Sequence, residues 1–101
     1  MIDVSPSDLK LIQKILQKHV PTTEVRVFGS RVTGKAKPHS DLDLAIVGKE
    51  KIPSTTLSLL KADFEESDLP FRVDVLDWNS ISNTFQNLIL EEYEVLHQAD
   101  F

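Results

Sequence analysis

Short runs rich in β-branched and aromatic residues alternate along this chain with longer amphipathic segments, and that alternation admits few folds. Val25-Arg26-Val27-Phe28, Leu42-Asp43-Leu44-Ala45-Ile46-Val47 and Phe71-Arg72-Val73-Asp74-Val75-Leu76 each read as a strand. Ser5-Pro6-Ser7-Asp8 opens a helix, with a hydroxyl cap and a proline where a missing N–H costs nothing. Leu9, Ile12, Leu16 and Val20 then recur at helical spacing, Leu11 and Ile15 widen the stripe, and Pro21-Thr22-Thr23 ends it. Pro53-Ser54 opens another helix carrying Leu57, Leu60 and Phe64, with Leu59 beside them. Asn79 or Ser80 is expected to cap a last helix containing Ile81, Phe85, Leu88 and Ile89. The tail Tyr93-Glu94-Val95-Leu96 reads either as extended or as a frayed end.

This order predicts an α/β (α+β) chain built as a small mixed β-sheet with helices mainly on one face. Only about a dozen residues separate the first two strands, so that pair is expected to be antiparallel, whereas a whole helix between the second and third permits a parallel crossover. The opposite face then needs a ligand, a partner or polar cover. No repeat, low-complexity stretch or linker interrupts the pattern, so residues 1–101 are expected to form a single domain.

Composition removes several chemistries. The chain has no cysteine, which excludes disulfide frameworks, zinc ribbons and thiol nucleophiles and suits a reducing cytoplasm. Its apolar runs fall far short of the roughly 20 residues that span a bilayer, and Met1-Ile2-Asp3-Val4 lacks the pattern of a secretory signal, so a cytoplasmic, membrane-free location is expected. A net charge of −5 disfavours direct binding to duplex nucleic acid. The charge is uneven, however: between Glu24 and Asp41 there is no acid, while Arg26, Arg31, Lys35 and Lys37 are all basic. Cations just ahead of an acidic cluster suit a polyanionic ligand bound together with metal ions.

That cluster is Ser40-Asp41-Leu42-Asp43-Leu44. Residues two apart on a strand share a face, so Asp41 and Asp43 project together while Leu42 and Leu44 point to the helices. Adjacent carboxylates repel unless a cation lies between them, and Mg²⁺, a hard ion that prefers oxygen ligands and substrate phosphates, fits that need. A third acid, Asp74, interrupts an otherwise apolar strand where an unpaired carboxylate is expensive. Asp77 competes with it; its parity is opposite to Asp74, and its position suits capping the next helix. Gly29-Ser30 follows the first strand directly, where glycine lets backbone approach a phosphate and turn N–H groups bind anions, with Arg31 adding positive charge. His19, His39 and His97 are too scattered to make a metal set, and Trp78 and Phe85 read as core or interface.

Gly29-Ser30, the Gly34 turn, Ser40-Asp41-x-Asp43 and a later strand aspartate resemble the nucleotidyltransferase signature of the DNA polymerase β-like superfamily. The likeness is nearest to the minimal nucleotidyltransferases (MNT), small single domains usually encoded beside a HEPN-domain protein. It implies a polymerase β palm-like fold, with Asp41, Asp43 and Asp74 as catalytic residues and ligands to two Mg²⁺ ions, for which Mn²⁺ can substitute. It also implies that Gly29 and Ser30, with Arg31 and Ser40, bind the phosphates of ATP or another nucleoside triphosphate. The activity implied is transfer of a nucleotide, expected to be AMP, to a hydroxyl such as a tyrosine of a HEPN-type toxin, the chain acting as antitoxin. A chain this short lacks the extra helical domain of larger relatives, so a second chain, a HEPN protein or another copy, is expected to complete the pocket. The alternative is an antitoxin that neutralises a HEPN partner by binding alone. A sugar-nucleotide transferase using Asp-x-Asp is disfavoured by length, and a calcium loop by the missing terminal glutamate.

Overall fold

The structure is a computed structural model that describes residues 2–98, so Met1 and residues 99–101, the ends of the expected domain, lie outside the described residues. Ser5 caps the first helix, α1 (Pro6–His19), by accepting a hydrogen bond from the Asp8 amide at 3.2 Å, and Lys18 and His19 occupy its last turn. Strand β1 (Glu24–Phe28) follows, then a single turn of helix, α2 (Ser30–Thr33), bounded by Gly29 and Gly34. Strand β2 (Leu42–Val47), helix α3 (Ser54–Glu66) and strand β3 (Val73–Asp77) form the crossover unit. The chain ends in helix α4 (Asn83–Glu91) and strand β4 (Glu94–His97). Among the described residues no helix is long and apolar enough to cross a membrane.

The four strands make one mixed sheet in the order β3-β2-β1-β4. β1 runs antiparallel to β2, and β2 parallel to β3, as expected from the connection lengths. The tail resolves as a strand: β4 pairs antiparallel with the free side of β1, with a register shift between Val25 and Arg26.

Strand alternation sorts the side chains into two layers. Val25, Val27, Leu42, Leu44, Ile46 and Val75 face α1 and α3, where they pack with Ile12, Leu16, Leu60 and Phe64 in the main core. Each such side chain, fully buried, contributes roughly 1.5–3 kcal/mol, so this layer holds the fold and leaves the other face open to polar groups. Leu59 is not part of the stripe; it lies one position off the Leu57–Leu60–Phe64 line and is 61% exposed.

The second face carries the alternate set Arg26, Phe28, Asp43 and Asp74. The Arg26 guanidinium lies between Trp78 and Tyr93, 5.0 and 4.8 Å from their ring centroids, and also pairs with Glu24. Phe85 of α4 meets Phe28 edge-on, with centroids 6.0 Å apart. Trp78 and Phe85 thus cover the sheet. The expected cap of the last helix is corrected here. Trp78–Ser80 forms a separate 3-10 turn, Ile81 is extended, and Ser82 caps α4 through its Oγ to the Phe85 amide at 3.1 Å.

Candidate active site

The site forms on the second face, where β2 lies between β1 and β3. Phe28 ends β1, and the chain turns at Gly29 with φ +80°, a value that L side chains rarely adopt. The turn is also crowded. A Cβ on Gly29 would lie 3.3 Å from Asp43 Cγ and would collide with Asp43 Oδ2, so only glycine fits between β1 and that carboxylate. Ser30 opens α2, whose short turn closes with the Val32 and Thr33 amides on the Gly29 carbonyl at 3.0 and 3.1 Å. Gly34 ends it in the left-handed region at φ +83°.

Residues 35–41 return the chain to β2. The Lys37 amide donates to Ser40 Oγ at 2.8 Å and the Ser40 amide to the Lys37 carbonyl at 3.0 Å, closing a tight turn with His39 exposed at its tip. Ser40 Oγ therefore serves the loop itself. Asp41 is exposed at the mouth of β2. Asp43 stands opposite Phe28 on one side and opposite Asp74 on the other, the latter in parallel register. Parallel register keeps both carboxylates on one face of the sheet.

The electrostatics follow from this crowding. Partial burial, then the charges of Asp74 and Asp41, push the Asp43 carboxyl from 3.8 up to about 6. Both neighbouring acids therefore act on Asp43. Among the described residues no three His, Cys, Asp or Glu side chains already form a metal-ligating cluster, so Asp41, Asp43 and Asp74 share a field without forming a closed cage. Their chemistry nonetheless fits a hard divalent cation: oxygen donors, mutually repelling, one of them held out of bulk water.

Asp77 is placed differently. It lies on the core face, 7% exposed, and accepts from the Ile52 amide at 2.9 Å and from the Asn79 amide and Ser80 Oγ at 3.1 Å. It caps the 3-10 turn and ties it to the entry of α3.

Arg31 departs from its expected orientation. It is buried, and its guanidinium donates to the carbonyls of Asp3, Pro38 and Ser40 while stacking 4.1 Å over Phe71. With Arg26 committed to Glu24 and two aromatic rings, the basic stretch leaves Lys35 and Lys37 as its exposed cations. His19 lies far from these acids and bonds Asp63 of α3 at 2.5 Å. No motif pointed to a groove of 350 Å³ that lies between Phe28, Gly29 and Thr33 and the Phe85–Leu88–Ile89 side of α4. Its size falls at the small end of ligand sites, roughly 300–1,000 Å³.

Comparison with known proteins places the chain in a family. Residues 10–101 match the family model described as Polymerase beta, Nucleotidyltransferase. The chain belongs to that nucleotidyltransferase family. Members generally use divalent metal ions, in keeping with the acidic donor set. The chain is similar, at 44% identity over 98% of its length and 87% of the relative's, to the probable protein adenylyltransferase MntA of Haemophilus influenzae. Its fold resembles a toxin–antitoxin crystal structure with AMP-PNP (TM-score 0.73, 21% identity, 95% of this chain and 76% of that one). It also resembles an MNT antitoxin in complex with a tri-AMPylated HEPN toxin of Shewanella oneidensis (TM-score 0.68, 21% identity, 92% and 71%).

Proposed function

We propose that this chain is a protein adenylyltransferase that moves AMP from ATP to a hydroxyl, expected to be a tyrosine, of a HEPN-type toxin, and so acts as its antitoxin in the cytoplasm. The observation that carries this reading is Asp43, which is wedged between the Gly29 turn and its register partner Asp74 and pushed to about 6 by burial and by its two acidic neighbours. A carboxylate held in that state is primed for a cation.

In this reading Asp41, Asp43 and Asp74 hold Mg²⁺, with Mn²⁺ as a substitute. The metal, when bound, neutralises charge on the transferring phosphate and on both the attacking and the leaving oxygens. Gly29 and Ser30 cradle the β- and γ-phosphates with turn N–H groups and a hydroxyl. Ser40 shapes the loop that leads to Asp41. The acceptor oxygen forms a bond to the α-phosphorus as the bond to the β-phosphate oxygen breaks, and pyrophosphate leaves. In this reading Asp74 also takes the hydroxyl proton. The groove beside α4 suits the base, its apolar wall supplied by Phe28, Phe85 and Ile89.

The relatives' names and the toxin complexes support the choice of a protein acceptor. The test is incubation of the chain with labelled ATP, Mg²⁺ and the HEPN protein encoded beside it. Label and a mass gain of one or more adenylyl groups on the toxin are expected. Absence of both with the wild-type chain overturns the reading. An Asp41→Asn, Asp43→Asn double variant that still neutralises the toxin fully would instead favour binding alone.

A further inference from the structure

Arg31 is 6% exposed, a burial that arginine seldom tolerates without a carboxylate partner. Among the described residues it makes no ion pair. Its donors go instead to neutral backbone oxygens: Nε and Nη2 both reach the Ser40 carbonyl, at 3.0 and 2.8 Å, Nη2 also reaches Pro38 at 3.1 Å, and Nη1 reaches Asp3 at 2.9 Å. The Asp3 amide returns a bond to the Arg31 carbonyl at 2.7 Å. The guanidinium plane lies 4.1 Å from the Phe71 ring centroid.

These partners are not scattered. Ser40 immediately precedes Asp41, Phe71 lies just before the strand that carries Asp74, and Arg31 itself follows Ser30 of the glycine turn. One side chain therefore holds the backbone of the 38–40 segment, stacks on the segment that leads into β3, and is itself carried by the turn that follows Gly29. We infer that Arg31 is a positioning residue that clamps the 38–40 backbone and so fixes where Asp41 stands relative to Asp43; the inference rests on the metal-binding reading above. The two-nitrogen fork onto one carbonyl is a guanidinium geometry. A lysine keeps the charge but presents a single point, so it cannot hold the Ser40 carbonyl in the same way. Charge-assisted bonds to carbonyls are strong enough to set a loop's conformation.

The experiment is Mn²⁺ binding to the full chain, followed by electron paramagnetic resonance, for the wild type, Arg31→Lys, Asp41→Asn and the variant combining Arg31→Lys with Asp41→Asn, with circular dichroism confirming folding. Arg31→Lys is expected to weaken Mn²⁺ about tenfold, in line with other residues that orient metal ligands. Because Arg31 acts through Asp41, its effect should disappear once Asp41 is already Asn. Wild-type affinity in Arg31→Lys, or an equal loss in both backgrounds, overturns the inference. No Mn²⁺ binding by the wild type overturns the metal reading itself and this inference with it, a result distinct from a bound but unperturbed variant. If Arg31→Lys does not fold, Phe71→Leu replaces it. Loss of the stacked ring should weaken Mn²⁺ about threefold, and an unchanged affinity there overturns the inference equally.

Discussion

Gly29 leaves no room for a side chain against Asp43: a Cβ would stand 3.3 Å from the carboxyl carbon and closer still to Oδ2. Both the φ of +80° and this contact oppose Gly29→Ala. The strained backbone costs about 1–3 kcal/mol, read as a lower urea midpoint. Asp43 must also move aside, and a shift of this kind in a reacting group lowers turnover on the order of a hundredfold. Adenylyl transfer measured on fully folded variant should therefore fall far more than the stability loss accounts for.

Asp43 makes stability depend on pH with a defined sign. Its carboxyl is raised from 3.8 to about 6, so the folded chain holds this proton more tightly than the unfolded chain does. The stability it contributes is full below 3.8 and is lost as the pH rises through about 6. At neutral pH the ionised group is a liability. Screening at a half-exposed site reduces that liability to on the order of 1 kcal/mol. Asp43→Asn should therefore melt at a higher temperature than wild type near neutrality in chelator, and the advantage should vanish below pH 3.8. Added Mn²⁺ should stabilise the wild type and leave the variant unmoved.

Much of this site was legible because it depends on periodicity. Asp74 joins Asp43 because a parallel partner in register keeps parity, while Asp41, read from its spacing to Asp43, stands one residue ahead of β2 and near enough to act on that carboxyl. Arg31 was not legible. Charge patterning reads a surface cation ahead of an acidic cluster, but Phe71 and Asp3, distant in sequence, enclose it. The cap of α4 was ambiguous because Asn79, Ser80 and Ser82 are all competent caps, and Asp77 decides among them by drawing Asn79 and Ser80 into its own turn. β4 is short and carries Glu94 and His97, so its strand character comes from pairing with β1 rather than from its own alternation.

His19 and Asp63 join α1 to α3, two helices that share one core face. The hydrogen bond from His19, followed by that from Lys18, holds the Asp63 carboxyl below its ordinary 3.8. A lowered carboxylate contributes stability that is present above 3.8 and lost as the pH falls through its folded value. Asp63→Asn removes this dependence. Its stability should be lower than wild type near neutrality, and the two should converge in acid, as measured by denaturant titrations at stepped pH.

Asp74 and Asp77 occupy one strand yet face opposite layers, and their variants should separate stability from chemistry. Asp77 accepts three hydrogen bonds in a buried setting and links the Ile52 amide to the 3-10 turn. Asp77→Ala leaves those donors unmatched and should cost about 2–4 kcal/mol. Transfer by the fraction that remains folded should persist. Asp74→Asn removes a charge that raises the Asp43 carboxyl and breaks no hydrogen bond described for the fold. Its stability should stay within about 1 kcal/mol of wild type, since relief of like-charge repulsion offsets any lost solvation. Toxin adenylylation by Asp74→Asn should nonetheless be lost at any Mg²⁺ concentration. The reverse pattern, with Asp77→Ala stable and inactive and Asp74→Asn active, would assign the third carboxylate to Asp77.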